Sequence, residues 1–185
     1  MVAKCRQSEY QHDFISGPKK AFNTVKYQIL IEKLFAYGVK GTEIEWFKSY
    51  LSDRQQFCSV KNATSSTLTL KCGIPQGSSL GPLLFIVYLN DFEACLEFSR
   101  ACMYADDTHC TIASANPKDL FENTQKEIVN IAEWMRTNKL SANPQKTEFM
   151  IIGNCKQLKK IDDIPKLELN KAEIKQVQKT KPLVL

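Results

Sequence analysis

Two adjacent carboxylates, Asp106 and Asp107, lie where two short β-favouring runs meet, Ala101–Ala105 and Thr108–Ala113. The pattern predicts a strand, a tight turn and a second strand, with two negative charges at the turn. Side by side, like charges repel, and the arrangement is costly unless a cation is present, so the pair is a candidate metal site. Taken alone, Asp-Asp is also ordinary turn chemistry, and its neighbours in the chain have to decide.

The elements that must position this turn can be read from periodicity. Between Tyr27 and Tyr37 the apolar residues Leu30, Ile31, Leu34 and Phe35 recur at helical spacing, with Gly38 at the expected end. A second helix runs to Asp53 along Ile44, Phe47, Tyr50 and Leu51. Thr42 and Glu45 stand at capping-box spacing at its start, and the two helices are expected to form a helical hairpin. Gln56–Val60 and Leu68–Cys72 read as a β-hairpin around the loop Asn62–Ser66. The stretch from Gly73 to Ser78 is too rich in Gly and Pro to be regular, and it leads into a buried helix that begins near Pro82 and includes Leu83–Leu89. After the carboxylates, Pro117 opens a long amphipathic helix with the stripe Leu120, Thr124, Ile128, Ile131 and Met135, closing near Asn138. Lys146–Gly153 reads as a further strand, and the lysine-rich remainder alternates only weakly.

Composition bounds the rest. A chain of 185 residues, 43% hydrophobic and 24% charged, is globular and sized for one domain or a piece of a larger one. Its longest apolar run, Pro82–Leu89, is less than half of the roughly 18 to 20 residues a membrane helix needs, and no apolar stretch follows the basic N-terminus, so no membrane partner and an intracellular setting, nucleus or cytoplasm, are expected. Seven scattered cysteines form neither a C-x-x-C pair nor a zinc cluster and read as reduced thiols. His12 and His109 read as packing or surface residues. The net charge of +5 is uneven: +4 over residues 1–40, −3 over 41–153 and +4 over 154–185. Basic ends permit contact with a phosphate backbone without establishing it.

In order along the chain, KKAFNTV (19–25), ILIEKLFAYGVKG (29–41) with WFKSYLSDRQQ (46–56), GIPQGSSLGP (73–82), MYADDT (103–108) and NKLSANPQKTEFMIIG (138–153) resemble five successive motifs of the palm of reverse transcriptases of non-LTR, LINE- or jockey-like, retrotransposons. The resemblance runs from about Lys19 to the last residue. It implies an α/β (α+β) polymerase palm, a small antiparallel sheet carrying the catalytic hairpin and backed by helices. It implies RNA-templated DNA synthesis, with RNA template, DNA primer, deoxynucleotides and two Mg2+ ions.

Carried over residue by residue, the resemblance makes Asp106 and Asp107 the metal-binding and catalytic carboxylates of the hairpin, beside Tyr104 and Ala105. Gln76, Gly77 and Ser78 fall in the loop that lies against template and nucleotide, where glycine permits close backbone approach, with a purely structural turn as the alternative. Phe22 falls where the family has a bulky residue beneath the nucleotide sugar, with a plain core phenylalanine as the alternative. Lys146 matches a lysine placed to protonate the leaving pyrophosphate, with an ordinary surface lysine as the alternative; Asn143, before Pro144, reads as turn chemistry. The first motif departs from the pattern. The family reads Asp-Leu-Ser-Lys-Ala-Phe-Asp-Thr-Val, and alignment on Ala21-Phe22 and Thr24-Val25 puts Gly17 at the metal-binding aspartate, Asn23 at an acidic position and Lys26-Tyr27 where Asp-His is usual. Asp13 lies four residues too early and substitutes only if its strand bulges or slips.

The expected organisation is a lead-in over residues 1–18, a partial palm over 19–153 and a basic segment over 154–185 that stops near the primer grip, with no counterpart of fingers or thumb. The function so read is that of a reverse transcriptase palm fragment. The alternative is an inactive remnant that at most binds nucleic acid or a partner protein. Oligomeric state is open.

Overall fold

The structure is a computed structural model and describes residues 10–16, 21–75, 77–104, 107–158, 161 and 165–178. In chain order the elements are β1 (Tyr10–Ser16), α1 (Ala21–Thr24), α2 (Tyr27–Ala36), α3 (Gly41–Leu51), β2 (Gln55–Gln56), β3 (Ser59–Val60), β4 (Ala63–Thr64), β5 (Leu68–Thr69), α4 (Gly81–Leu89), a short 3-10 helix (Phe92–Cys95), β6 (Arg100–Tyr104), β7 (Asp107–Ser114), α5 (Pro117–Thr137), β8 (Glu148–Ile152), α6 (Cys155–Leu158), β9 (Glu168–Leu169), β10 (Ala172–Glu173) and β11 (Lys175–Gln176). They fall into two compact units, one of residues 1–19 with 91–185 and one of residues 20–90.

The first unit is a five-stranded sheet in the order β11-β8-β1-β7-β6, with α5 packed on one face against β1 and β7. β1 runs antiparallel to β7 from Tyr10↔Ser114 to Ser16↔Thr108 and antiparallel to β8 from Gln11↔Ile152 to Ile15↔Glu148. The segment expected as a lead-in therefore contains the central strand. Its signal is the alternation of Tyr10, His12 and Phe14, all buried, with half-buried Gln11 and Asp13. β7 alternates the same way: Thr108, Cys110 and Ile112 face α5, while Asp107, His109 and Thr111 face the other side. The sheet is antiparallel except at one edge, where β11 pairs parallel to β8. That strand comes from the lysine-rich tail, too short and weakly patterned to be read from sequence.

Helix α5 carries the expected stripe, extended by Phe121 and Glu127, and is capped by Asn116, whose side chain accepts from the Lys118 amide at 3.0 Å. Glu127 is fully buried, and its carboxylate accepts hydrogen bonds from the amides of Glu97, Phe98 and Ser99 at 3.1, 3.2 and 2.7 Å and from the Ser99 hydroxyl. Three consecutive amides of the turn before β6 thus converge on this one side chain, which sets where β6 begins. His12 sits beneath the same helix. Thr124 Oγ1 donates to the Leu120 carbonyl at 2.7 Å and lies 2.9 Å from His12 Nδ1, so it accepts from a protonated Nδ1, and the ring is wedged against Phe121 and Phe149.

In the second unit, α2 pairs with α3 and α4 around Leu30, Leu34, Ile44, Leu51, Leu84, Phe85 and Tyr88. The expected helices are present, and α2 ends at Gly38 (φ +93°). Two expectations are corrected. Thr42 caps nothing: the helix starts two residues earlier than that cap implies, with Lys40 as the N-cap residue, and Glu45 pairs with Lys48 at 2.7 Å instead of reaching back. The single hairpin of Gln56–Val60 with Leu68–Cys72 is two separate ladders, β2 with β5 and β3 with β4, because a tight turn at Lys61 (φ +54°) folds the strand back before it reaches the longer loop. Helix α4 is buried along one face only, since Leu83 and Ile86 are exposed. The six cysteines among the described residues are free, and no described helix is long and apolar enough to cross a membrane.

Two expected outcomes follow from these buried groups. Glu127→Ala removes the acceptor of three part-buried amides, so chemical denaturation should show a loss of about 1–3 kcal/mol, and Glu127→Gln, which keeps an acceptor, clearly less. His12 is neutral in the fold because burial lowers its pKa to about 4 from 6.5. The unfolded chain then binds the extra proton, so its contribution is complete above pH 6.5 and is lost as pH falls toward 4, amounting to about 2 kcal/mol at pH 5. Melting temperature should drop between pH 7 and pH 5 in the parent and much less in His12→Gln.

Candidate active site

The expected hairpin is present, but its turn falls one residue earlier than the spacing predicts, so Asp107 belongs to the strand. Tyr104, the last residue of β6, is the ladder partner of Asp107, the first of β7, so the connection is the two residues Ala105 and Asp106. Those two, with Gln76 and Gly17, lie outside the described residues. Asp107 is exposed. His109 follows two positions along β7, half-buried on the same face, and Asp13 is set opposite Thr111 two positions further. Burial lowers the His109 pKa, while the carboxylates of Asp13, on the neighbouring strand β1, and of Asp107, on its own strand, pull it upward.

Asp13 does not stand in for a third ligand. Its ladders to β7 and β8 run without a bulge or slip, and its partner Thr111 is four residues along β7 from Asp107, a separation of about 13 Å. The carboxylate instead accepts from Thr111 Oγ1 at 2.7 Å and from Gln11 Nε2 at 3.2 Å, stitching β1 to β7 on the face away from α5. Sequence reading named neither Thr111 nor this role of Asp13; the alternation Gln11, Asp13 against Tyr10, His12, Phe14 was the available signal.

Lys146 is exposed and closes the turn into β8, its amide donating to the Asn143 carbonyl at 3.0 Å. The turn role read for Asn143 is supported: its carbonyl also accepts from the amide and hydroxyl of buried Thr147, at 3.1 and 3.0 Å.

The remaining site residues belong to the second unit. Phe22, on α1, is half-buried and stacks on Phe85 of α4, centroids 4.2 Å apart and planes 21° from parallel. The backbone of α1 then clamps the glycine-proline loop: the Gly73 amide donates to the Val25 carbonyl and the Ile74 amide to the Phe22 carbonyl, both at 2.8 Å. This close approach is why residue 73 is glycine, for a Cβ there would meet the Asn23 backbone at 3.1 Å and φ is +92°. Gly77 is different, with open space around it and φ +79°, so conformation rather than contact within the chain accounts for it. Ser78 Oγ accepts from the amides of Leu80 and Gly81 at 3.1 and 3.2 Å and lies 2.6 Å from Tyr50 Oη, which fixes the loop to the start of α4 and to α3.

Comparison with known proteins agrees with this architecture. The model of the family reverse transcriptase (RNA-dependent DNA polymerase) matches residues 6–181. The chain is 31% identical over 166 residues to the probable RNA-directed DNA polymerase from transposon BS of Drosophila melanogaster, covering 84% of this chain and 17% of that protein. It is 24% identical over 139 residues to the retrovirus-related Pol polyprotein from type-1 retrotransposable element R2 of Popillia japonica, covering 69% and 22%. The chain thus spans under a quarter of the length of these relatives. Among solved structures, telomerase from Candida tropicalis in complex with a TWJ fragment of telomeric RNA shares the fold, with a TM-score of 0.61 at 14% identity over 81% of this chain and 27% of that one. With the five ordered motifs, the α/β palm fold and a family match over nearly its whole length, this chain belongs to the reverse transcriptase (RNA-dependent DNA polymerase) family.

Proposed function

We propose that this chain is the palm portion of an RNA-directed DNA polymerase, serving transfer of a deoxynucleotide to a primer 3′ hydroxyl on an RNA template. The observation that carries the reading is the sheet register. Asp107 is the partner of Tyr104; Thr108, which follows it, is the partner of Ser16, which precedes Gly17; and Ile15 is the partner of Glu148, two residues after Lys146. Three neighbouring strands, β7, β1 and β8, thus end side by side near Asp107, Ser16 and Glu148, which supports a reading that needs the first-motif, hairpin and lysine positions of the family at one end of the sheet.

The donors fit Mg2+ in kind, as exposed carboxylate oxygens at a strand end, but not in number. Gly17 has no side-chain oxygen, Asp13 is engaged elsewhere, and no set of three His, Cys, Asp or Glu side chains among the described residues could hold a metal. Bound Mg2+ supplies neutralisation of phosphate charge and activation of the attacking hydroxyl. By the family resemblance, the chain's own part is to hold Asp106 and Asp107, preceded in sequence by Tyr104 and Ala105, on the β6–β7 hairpin, to support the nucleotide sugar with Phe22, to offer Gln76, Gly77 and Ser78 to template and nucleotide, and to offer the Lys146 proton to the departing pyrophosphate. The short ladder and the Ser78 bonds make both surfaces rigid before substrate arrives. The Gly17 position favours a second reading, a palm that no longer polymerises and at most binds nucleic acid or a partner protein.

Primer extension on an RNA template with Mg2+ or Mn2+ separates the two. Gly17→Asp should raise synthesis about a thousandfold or more, as restoring a metal ligand worth several kcal/mol implies, and Asp106→Ala in that background should abolish it. Mn2+ binding followed by electron paramagnetic resonance should tighten with Gly17→Asp independently of activity. A folded Gly17→Asp chain that gains neither synthesis nor Mn2+ affinity would establish the remnant reading.

A further inference from the structure

The five-stranded sheet has two outer edges, and they differ in how they meet water. At one, β11 contributes two residues, of which Lys175 carries a charge that discourages further pairing. At the other, β6 pairs with β7 in unbroken register from Arg100↔Thr111 to Tyr104↔Asp107, and among the described residues no strand lies on its outer side. β6 holds no lysine, proline or bulge, and Arg100, Cys102 and Met103 are exposed along it. Such an edge presents a row of unpaired N–H and C=O groups whose natural complement is another strand. Charge divides along it: the one cation of the strand, Arg100, opens it, and the carboxylates Asp106 and Asp107 follow its end. None of the ion pairs among the described residues engages Arg100 or Asp107.

We propose that β6 pairs antiparallel with β6 of a second copy of this chain, about a two-fold axis at Cys102. That register sets Cys102 against its own counterpart, Ala101 against Met103 and Arg100 against Tyr104. Asp107 is the ladder partner of Tyr104, so Arg100 of one copy stands in the same row as Asp107 of the other. The two are separated by two strand spacings, about 10 Å between backbones, which a guanidinium on its long stem spans to reach a carboxylate. Arg100, opposite Thr111, and Asp107 both belong to the sheet face away from α5, so the two charges meet on one side. A parallel pairing in register would set Arg100 against Arg100, and that repulsion selects the two-fold arrangement. With both β6 edges closed, the edges left over are the lysine-bearing β11 strands, so association stops at two copies. The pairing uses no metal and no substrate, and it stands or falls apart from the polymerase reading.

The test is sedimentation velocity of the full chain in reducing buffer with EDTA. An interface this small should be concentration-dependent, with monomer at about 1 μM and dimer at about 200 μM. Arg100→Glu and Asp107→Arg, each alone, set like charges against one another at both ends of the pairing and should weaken the dimer at least about tenfold. Mixed in equal amounts they should restore it, because each copy then meets the opposite charge in its neighbour. Met103→Lys, a charge on the exposed edge, should abolish it. Diamide treatment of the chain carrying Cys5→Ser, Cys58→Ser and Cys155→Ser should give a covalent dimer joined from Cys102 to Cys102 by mass spectrometry. In that step the two thiols lose two electrons and two protons to diamide, which becomes the hydrazine, and the readout does not depend on any edge variant folding. The proposal is overturned if the chain stays monomeric at the higher concentration or if a dimer persists unchanged in all three edge variants. It is equally overturned if the two charge variants fold by circular dichroism and their mixture stays monomeric, or if diamide links other cysteines and leaves Cys102 free.

Discussion

Everything on the aspartate-bearing sheet depends on the register of its central strand. Tyr10–Ser16 is held on both sides by antiparallel ladders with no bulge, so its odd and even residues are committed to opposite faces. A slip of one residue would turn Asp13 and Gln11 into the core and His12 out of it, losing the bonds to Thr124 and Thr111 together. Two long-range polar contacts on opposite faces thus lock one register, and hydrophobic packing of Tyr10 and Phe14 supplies the rest of the bias.

The buried polar groups of this unit share a design. Glu127 satisfies three successive amides ahead of β6, and Thr124 satisfies His12 while returning its own proton to the helix backbone. Each sits on α5, so one helix sets the height of β6 and the register of β1. Gln125 adds to this from the same helix, its side-chain amide bonding the backbone N–H and C=O of Glu168 at 2.9 and 3.0 Å as a neighbouring strand would. The cost of burying these groups is offset only while all their partners are present, which makes the arrangement specific rather than merely stable.

In the residue 20–90 unit the loop motif is shaped by backbone contacts rather than by core packing. Gly73 and Ile74 pair with the end of α1, and Ser78 engages the amides at the start of α4, so the segment between them is held at both ends. The side chain carried over for contact with a nucleotide, Phe22, is supported from below by Phe85. A loop so anchored presents its glycines without needing regular structure, which explains why composition, and not periodicity, announced it.

The sequence alone determined the helices, the hairpin that ends in paired carboxylates and the motif order that places the chain among reverse transcriptases, because those signals are local: a 3.6-residue stripe, a turn between β-favouring runs, a string of residues at set spacing. It also exposed Gly17 as a departure, since a ligand type can be checked without coordinates. Tertiary structure alone decided that Tyr10–Ser16 is the central strand, that Asp13 bonds Thr111 and stands about 13 Å from Asp107 along the ladder, that Glu127 is a buried anchor, and that the lysine-rich tail adds a parallel edge strand. Each of those facts is a pairing between residues far apart in the chain, and a pairing has no period to read. Strand register is set by the sum of contacts across the sheet, so a residue's partner, and with it the role of its side chain, is known only once the strands have met.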